Sequence, residues 1–302
     1  MPSEQALLRR LEGRALDHPS MPEAVRLEVP DWLGSRIEPA ELRALLEPAS
    51  LDLRVNLLKA NRDDARAALA AEGLEAVPTP LSPWGLRIEG RRQVTTGAAF
   101  REGLVEIQDE GSQLVAALVD ARPGMRVVDL CAGAGGKTLA LAMTMQNRGQ
   151  LVACDVSAVR LDGAVRRLRR AGVHNVERHL LEPGDKWIKR RAASFDRVLV
   201  DAPCTGTGTW RRNPDARLRL TEADVAELLP KQAGVLDEAA SLVRKGGRLV
   251  YATCSLLSEE NEDQVSAFVS RHPGFTQVDV LTLTPARHRT DGFFAAVLER
   301  SP

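Results

Sequence analysis

Residues 126–138 read RVVDLCAGAGGKT, and this run decides the fold. An apolar strand ends near Leu130, a turn follows that holds Gly133, Gly135 and Gly136, and the continuation KTLALAMTM has a helical pattern. Glycines at a strand-to-helix turn let the backbone approach a ligand, and the start of the helix directs free N–H groups and a positive dipole end toward it. The spacing is not the GxxxxGK[ST] of a P-loop. A tight structural turn would look the same, so the turn takes its meaning from what surrounds it.

Outward from that run the rhythm repeats. LVACD at residues 151–155 leads into a helix around Ala158 to Ala171, FDRVLVDAP at 195–203 leads into a long polar loop, and GGRLVYATC at 246–254 closes the series. Short buried strands alternating with helices predict an α/β fold with a mostly parallel sheet covered on both faces. Upstream, LDLRVNLL at 51–58 alternates like a strand. Asn61 then caps a helix ended by Gly73, and GLRIEG at 85–90 reads as another strand beyond a Pro-rich loop from Pro78 to Pro83. This predicts a small β-α-β unit. The division expected is a helical lead-in over 1–48, broken by prolines, a small α/β domain over 49–115, and a Rossmann-like domain over 116–302.

The 302 residues, 44% hydrophobic and 27% charged, suit a folded soluble chain rather than a disordered or membrane-spanning one. No secretory leader is apparent, so the cytoplasm is the expected compartment. Lys+Arg and Asp+Glu both total 41, which by itself does not announce a polyanionic partner. Local clusters at Arg166–Arg170, Lys186–Arg191 and Arg211–Arg212 offset this, although any one of them also reads as a solvated helix face.

In a parallel α/β sheet, ligands sit beyond the carboxyl ends of the strands. Cys131, Cys154, Cys204 and Cys254 each fall at or just past such an end, so all four are expected on one rim; without a CxxC pair they do not suggest a zinc ribbon. Asp155 is placed to accept hydrogen bonds from a ribose diol. Asp201 ends a strongly apolar strand, where an unpaired carboxylate would be costly unless it served a ligand, and Ala202-Pro203 then presents Cys204. Arg211 and Arg212 follow in a polar loop suited to phosphate oxygens, or equally to a salt bridge. If the strands bearing Cys204 and Cys254 are neighbours, about 5 Å separates them and the two thiols face one pocket.

The set DLCAGAGGKT, VDAPCTGTGTWRRNPD and VYATCSLLSEEN resembles the Sun-domain (RsmB-like) family of RNA cytosine-5 methyltransferases, and LRVNLLK, GLVEIQDEGSQLVA and HRTDGFFAAVLER extend the likeness from about Pro30 to the end. The resemblance implies a Rossmann-like methyltransferase domain preceded by a small α/β RNA-binding domain. It also implies S-adenosylmethionine as cofactor and no metal. By it, Cys254 adds to carbon 6 of the base, Asp201 protonates or hydrogen-bonds ring nitrogen 3 with a raised pKa, and Cys204 helps remove the carbon-5 proton and free Cys254. The implied cofactor contacts are the backbone of Cys131, Ala132, Gly133, Ala134, Gly135 and Gly136, with Lys137, Asp155, Asp185 and Asp201. The candidate RNA contacts remain Arg211 and Arg212, from their place in the polar loop.

Two departures stand out. The chain has CAGAGGKT where the family usually has CAAPGGKT, and the segment before Pro30 is too short for the NusB-like helical domain of longer bacterial relatives. The expected partner is RNA, ribosomal RNA ahead of tRNA, acted on by a monomer with no membrane involvement. The rival readings are a cysteine-ligated metal or redox protein, in which Cys131 and Cys154 would be indispensable, and a non-catalytic RNA-binding protein on a decayed enzyme fold.

Overall fold

The structure is a computed structural model that describes residues 21–90 and 92–302; the first part of the expected helical lead-in, residues 1–20, lies outside them. The rest of the lead-in is three one-turn helices, Glu23–Arg26, Asp31–Gly34 and Pro39–Ala44, with Pro22 and Pro30 as N-caps and Pro39 at the first helical position. They do more than lead in. Leu27, Leu33, Leu42 and Leu45 form one apolar cluster with Trp210, Val225 and Leu257, so this segment is part of the packed body.

The small domain contains β1 (Leu51–Val55), α1 (Arg62–Ala71), β2 (Ala76–Pro78), β3 (Gly85–Ile88) and β4 (Val105–Ile107). Asn61 caps α1 as expected, its side chain accepting from the Asp64 N–H. The sheet is a correction to the β-α-β expectation: four strands in the order β2-β3-β1-β4, all antiparallel. The unit is richer because β2 emerges at the edge of the Pro-rich loop and β4 returns from beyond it to pair with β1. A buried ion pair ties this sheet to the start of the large domain. Arg87 donates to both oxygens of Asp52, at 2.7 and 2.8 Å, and reaches Glu110 at 3.4 Å.

The large domain opens with α2 (Glu110–Leu118), capped by Asp109, whose side chain accepts from the Gly111 N–H. It continues through β5 (Arg126–Asp129), α3 (Gly136–Thr144), β6 (Gln150–Asp155), α4 (Ala158–Ala171), β7 (Val176–Leu180) and β8 (Phe195–Asp201). The chain closes with α5 (Glu222–Leu242), β9 (Val243–Thr253), α6 (Glu262–Arg271), β10 (Phe275–Leu283) and β11 (Phe293–Arg300). Its seven strands run in the order β10-β11-β9-β8-β5-β6-β7. The five from β9 to β7 are parallel, and β11 is antiparallel to β9 and β10.

Alternation along β5 sends Val128 and Leu130 into one core with Phe195, Leu236 and Tyr251, and Val127 into the opposite core with Val115 and Leu141. Both faces are therefore covered, as the near-continuous apolar strands require. Among the described residues no helix is long and apolar enough to cross a membrane.

The expected polar loop after β8 is only partly a loop. It holds the 21-residue helix α5, started by a reciprocal capping box between Thr221 and Asp224 and carrying Pro230 within it.

The two domains meet through side chains of the small one that grip main-chain carbonyls. Arg54 donates to Gly136 O at 2.9 Å, Asn56 to Ala171 O at 2.9 Å, and Lys59 to Arg170 O at 2.7 Å. The expected solvated face of α4 is partly engaged here, since Arg170 and Arg167 both pair with Glu106 of β4.

Loops at the carboxyl ends of β8 and β9 are locked by one close backbone approach. Gly292 donates its N–H to Gly208 O at 2.8 Å, and Gly208 donates to Cys254 O at 2.9 Å. A Cβ on Gly208 would stand 2.4 Å from Gly292 O. Gly208→Ala should therefore cost about 1–3 kcal/mol of stability, read as a lowered midpoint in denaturant unfolding; an unchanged midpoint would show that the loops can part freely.

Candidate active site

The rim of the large sheet carries a cavity of about 590 Å³ at the carboxyl ends of β5, β6, β8 and β9. Its floor is the glycine-rich turn. Gly133 has φ 54°, a left-handed conformation that favours glycine, and an added Cβ would meet nothing within 4 Å, so the turn opens toward the cavity. Gly135, also left-handed, is the N-cap of α3 and packs on Ala164 rather than lining the cavity. The first N–H groups of α3 have no partner within the helix, which leaves donors and a positive dipole end at the cavity wall.

Asp155 is almost fully buried. One of its oxygens accepts from the Gly133 N–H and the other from the Ser157 N–H, both at 2.8 Å. Each oxygen keeps lone-pair capacity for a further donor, as a diol would supply. Asp129 supports the turn from below. Thr138 donates to its Oδ2 at 2.7 Å, Oδ1 has no partner, and burial pushes its pKa up to about 7.

The adjacent-strand expectation for the two motif cysteines holds. Asp201 of β8 pairs with Ala252 of β9, and just past that register Cys204 Sγ and Cys254 Sγ lie 3.5 Å apart, both facing the cavity. Hydroxyls zip their loops together. Thr207 Oγ1 lies 3.1 Å from Ser255 Oγ and accepts from the Leu256 N–H at 2.8 Å, and Thr205 Oγ1 lies 3.3 Å from the same Ser255 hydroxyl. The hydrogen bond to Cys254, burial and the charge of Cys254 together push the Cys204 thiol well above its usual range.

Lys137, assigned from the sequence to the cofactor, bridges both halves of the site. Its Nζ donates to Asp201 Oδ2 at 2.7 Å. Burial works against the lysine charge, but the Asp201 carboxylate outweighs it and Cys254 adds in the same direction, so the lysine pKa is raised. Asp201 is thus half of a lysine–carboxylate pair that lies within electrostatic reach of Cys254.

Other expectations are redistributed. Cys131, Ala132, Gly133, Ala134, Gly136, Lys137, Asp155 and Asp201 line the cavity with the two thiols. Cys154 does not join the rim; it is fully buried in the core, because within β6 it points inward. Asp185 stands apart from the lining, its carboxylate held by His179 at 2.6 Å and by the Trp187 N–H at 2.9 Å, contacts that lower its pKa.

Of the two readings offered for Arg211 and Arg212, the structure shows the ion pairs. Arg211 is buried against Asp291 at 2.9 Å, and Arg212 bridges Asp291 at 2.5 Å and Asp109 at 3.0 Å. Burial, with the charge of Asp291 beside it, pushes Asp109 up to about 6. Val235 and Glu238 also stand on the cavity wall, where the expected polar loop would not have put them, because they come from α5. The capping pattern Thr221-x-x-Asp224 was the available signal for that helix.

These features fit S-adenosylmethionine: an open glycine turn at a helix start, a buried carboxylate with free lone pairs for a ribose, and apolar wall from Leu130, Val156 and Leu181.

Known proteins agree with this fit. A family model described as 16S rRNA methyltransferase RsmB/F matches residues 116–299, and an RsmF/B-like ferredoxin-like domain model matches residues 29–95. A Synechocystis protein named "Probable ribosomal RNA small subunit methyltransferase B" is 35% identical over 95% of this chain and 70% of its own length. Ribosomal RNA small subunit methyltransferase B of Photorhabdus laumondii is 34% identical over 90% of this chain and 66% of its own. This chain thus spans about two thirds of such relatives. The solved structure of PH0851 superposes with a TM-score of 0.90 at 33% identity, covering 97% of this chain and 71% of that one. The chain therefore belongs to the RsmB/F family of S-adenosylmethionine-dependent RNA methyltransferases.

Proposed function

We propose that this chain methylates carbon 5 of cytosine in RNA, ribosomal RNA in preference to tRNA, through a transient bond between Cys254 and carbon 6 of the base. The observation that carries the reading is the pair of free thiols 3.5 Å apart beside the cofactor cavity. The small domain, alongside the cavity, is the RNA-holding part, and the reading of ribosomal RNA rests on the names of the relatives.

Carbon 5 is a weak nucleophile until a thiolate adds to carbon 6 and enriches it. The hydrogen bond with Cys254 and burial favour the protonated form of Cys204, and by the family resemblance Cys254 is the sulfur that attacks. As the ring gains electrons, a proton from the Lys137–Asp201 pair meets nitrogen 3. When bound, S-adenosylmethionine supplies the electrophilic methyl group that carbon 5 takes up. With Cys254 now a neutral thioether, its hydrogen bond and its charge no longer hold the proton on Cys204. Cys204 loses that proton to water. It then takes the carbon-5 proton as the bond from Cys254 to carbon 6 breaks and nitrogen 3 returns its proton. One proton leaves for each methyl group transferred, and both sulfurs recover their starting states.

Incubating total RNA with the chain and labelled cofactor, then mapping the modified base, is expected to give 5-methylcytosine in small-subunit ribosomal RNA. A methyl group on ribose or on an exocyclic nitrogen would refute the chemistry, and label in tRNA would move the substrate. Cys254→Ala should abolish methylation. Cys204→Ala should accumulate an RNA–protein adduct that survives denaturing electrophoresis, and an adduct with Cys254→Ala instead would reverse the two roles. Asp155→Ala should weaken binding of S-adenosylhomocysteine about 10- to 100-fold by calorimetry, since it removes hydrogen bonds to a charged group; unchanged affinity would place the ribose elsewhere.

A further inference from the structure

Cys204 lies between two peptide groups that are both gripped from the interior. Ahead of it, the Pro203 carbonyl accepts from Gln232 Nε2 at 3.0 Å. Behind it, the Thr205 N–H donates to Glu260 Oε1 at 2.9 Å, and the Thr205 hydroxyl donates to Glu260 Oε2 at 2.5 Å. The two gripping side chains are joined, Gln232 Nε2 donating to Glu260 Oε1 at 2.9 Å. Both have no exposed surface, and neither lines the cavity, so neither touches substrate or cofactor.

A fully buried carboxylate without a cation is expensive unless its oxygens are saturated by donors. Here the donors are the second half of the clamp and the residue following Cys204. Tyr251 also fixes the Glu260 main chain, its hydroxyl donating to the carbonyl at 2.7 Å. Cys254 is held differently. It follows directly from the end of β9, which pairs with β8 on one side and β11 on the other. The clamp therefore acts on one thiol of the pair more than on the other.

We propose that Glu260 and Gln232 are positioning residues for Cys204, which hold its thiol where the carbon-5 proton departs and so govern release of the methylated RNA rather than the attack of Cys254. The inference rests on Cys204 being the releasing thiol. Elimination needs the acceptor sulfur aligned with a single C–H bond, and a misplacement of about 1 Å can slow such a step about 100-fold. Attack and methyl transfer need Cys254 and the cofactor cavity, which the clamp leaves in place.

The test uses the full chain with an in vitro transcript of small-subunit ribosomal RNA and labelled cofactor, in Gln232→Met, Glu260→Ala and Glu260→Gln. In the first two, multiple-turnover methylation is expected to fall about 100-fold, while a single turnover still labels the RNA and leaves it attached to protein under denaturing conditions. Glu260→Gln keeps an acceptor for the Thr205 N–H and for Gln232, and should restore release.

Single- and multiple-turnover rates falling together without an adduct, in variants that still bind S-adenosylhomocysteine, would overturn the proposal. Loss of folding in both disruptive variants would overturn it as well, by making the pair structural only. Cys204→Ala run in parallel separates the two levels. No adduct there means that the Cys204 assignment has failed, whereas an adduct there and none in the clamp variants sinks this inference alone.

Discussion

The parallel ladder between β8 and β9 is the constraint from which the site follows. Neighbouring strands lie about 4.8 Å apart, and parallel strands end at the same edge. Two residues carried just past those ends must therefore meet, whatever the intervening 49 residues do between Cys204 and Cys254. An antiparallel pairing would have sent the sulfurs to opposite rims. The remaining parts lie along the rim in strand order: Cys254 after β9, Asp201 and Cys204 at β8, the glycine turn after β5, and Asp155 at the end of β6. The donor side and the acceptor side of a group transfer are thus neighbours because their strands are.

Charge is arranged around that ladder in two separate clusters. Buried Lys137 and half-buried Asp201 form a pair at the cavity, with Asp129 beneath the same turn. Arg211, Arg212, Asp291 and Asp109 form another cluster behind the loops, where Arg212 also reaches Ser50 O at 3.3 Å. The second cluster joins the loop after β8, the loop before β11 and the start of α2. Since Asp291 immediately precedes Gly292, it helps hold the glycine contact against Gly208. Removing one member of a buried charge set strands its partners, so such clusters fix geometry more than they add net stability.

Much of this was legible because the signals are local. Apolar strands that run out just before Gly133, Cys204 and Cys254 carry their own boundaries, and their alternation with helices marks the sheet as mostly parallel. The long helix α5 was hidden by Pro230 and Gly234, which usually mark breaks, although its capping box was in plain view. β7, VERHL, is a sheet edge with mostly half-exposed or exposed residues and lacks the apolar run that marks the inner strands. Arg211 shows the deeper limit. Its partner Asp291 is 80 residues away, and nothing in a polar loop says whether an arginine will find a phosphate or a carboxylate. Cys154 misled for the opposite reason: one step of pleat decides whether a residue near a strand end faces the rim or the core.

The joint between the two domains has a consequence for how the chain can vary. Arg54, Asn56 and Lys59 of the small domain fasten onto the carbonyl oxygens of Gly136, Ala171 and Arg170. Every amino acid supplies a carbonyl, so the receiving surface is written in the main chain and not in side-chain identity. Mutational drift on that side leaves the fastening intact so long as the backbone trace persists, while the three donors opposite have no such freedom.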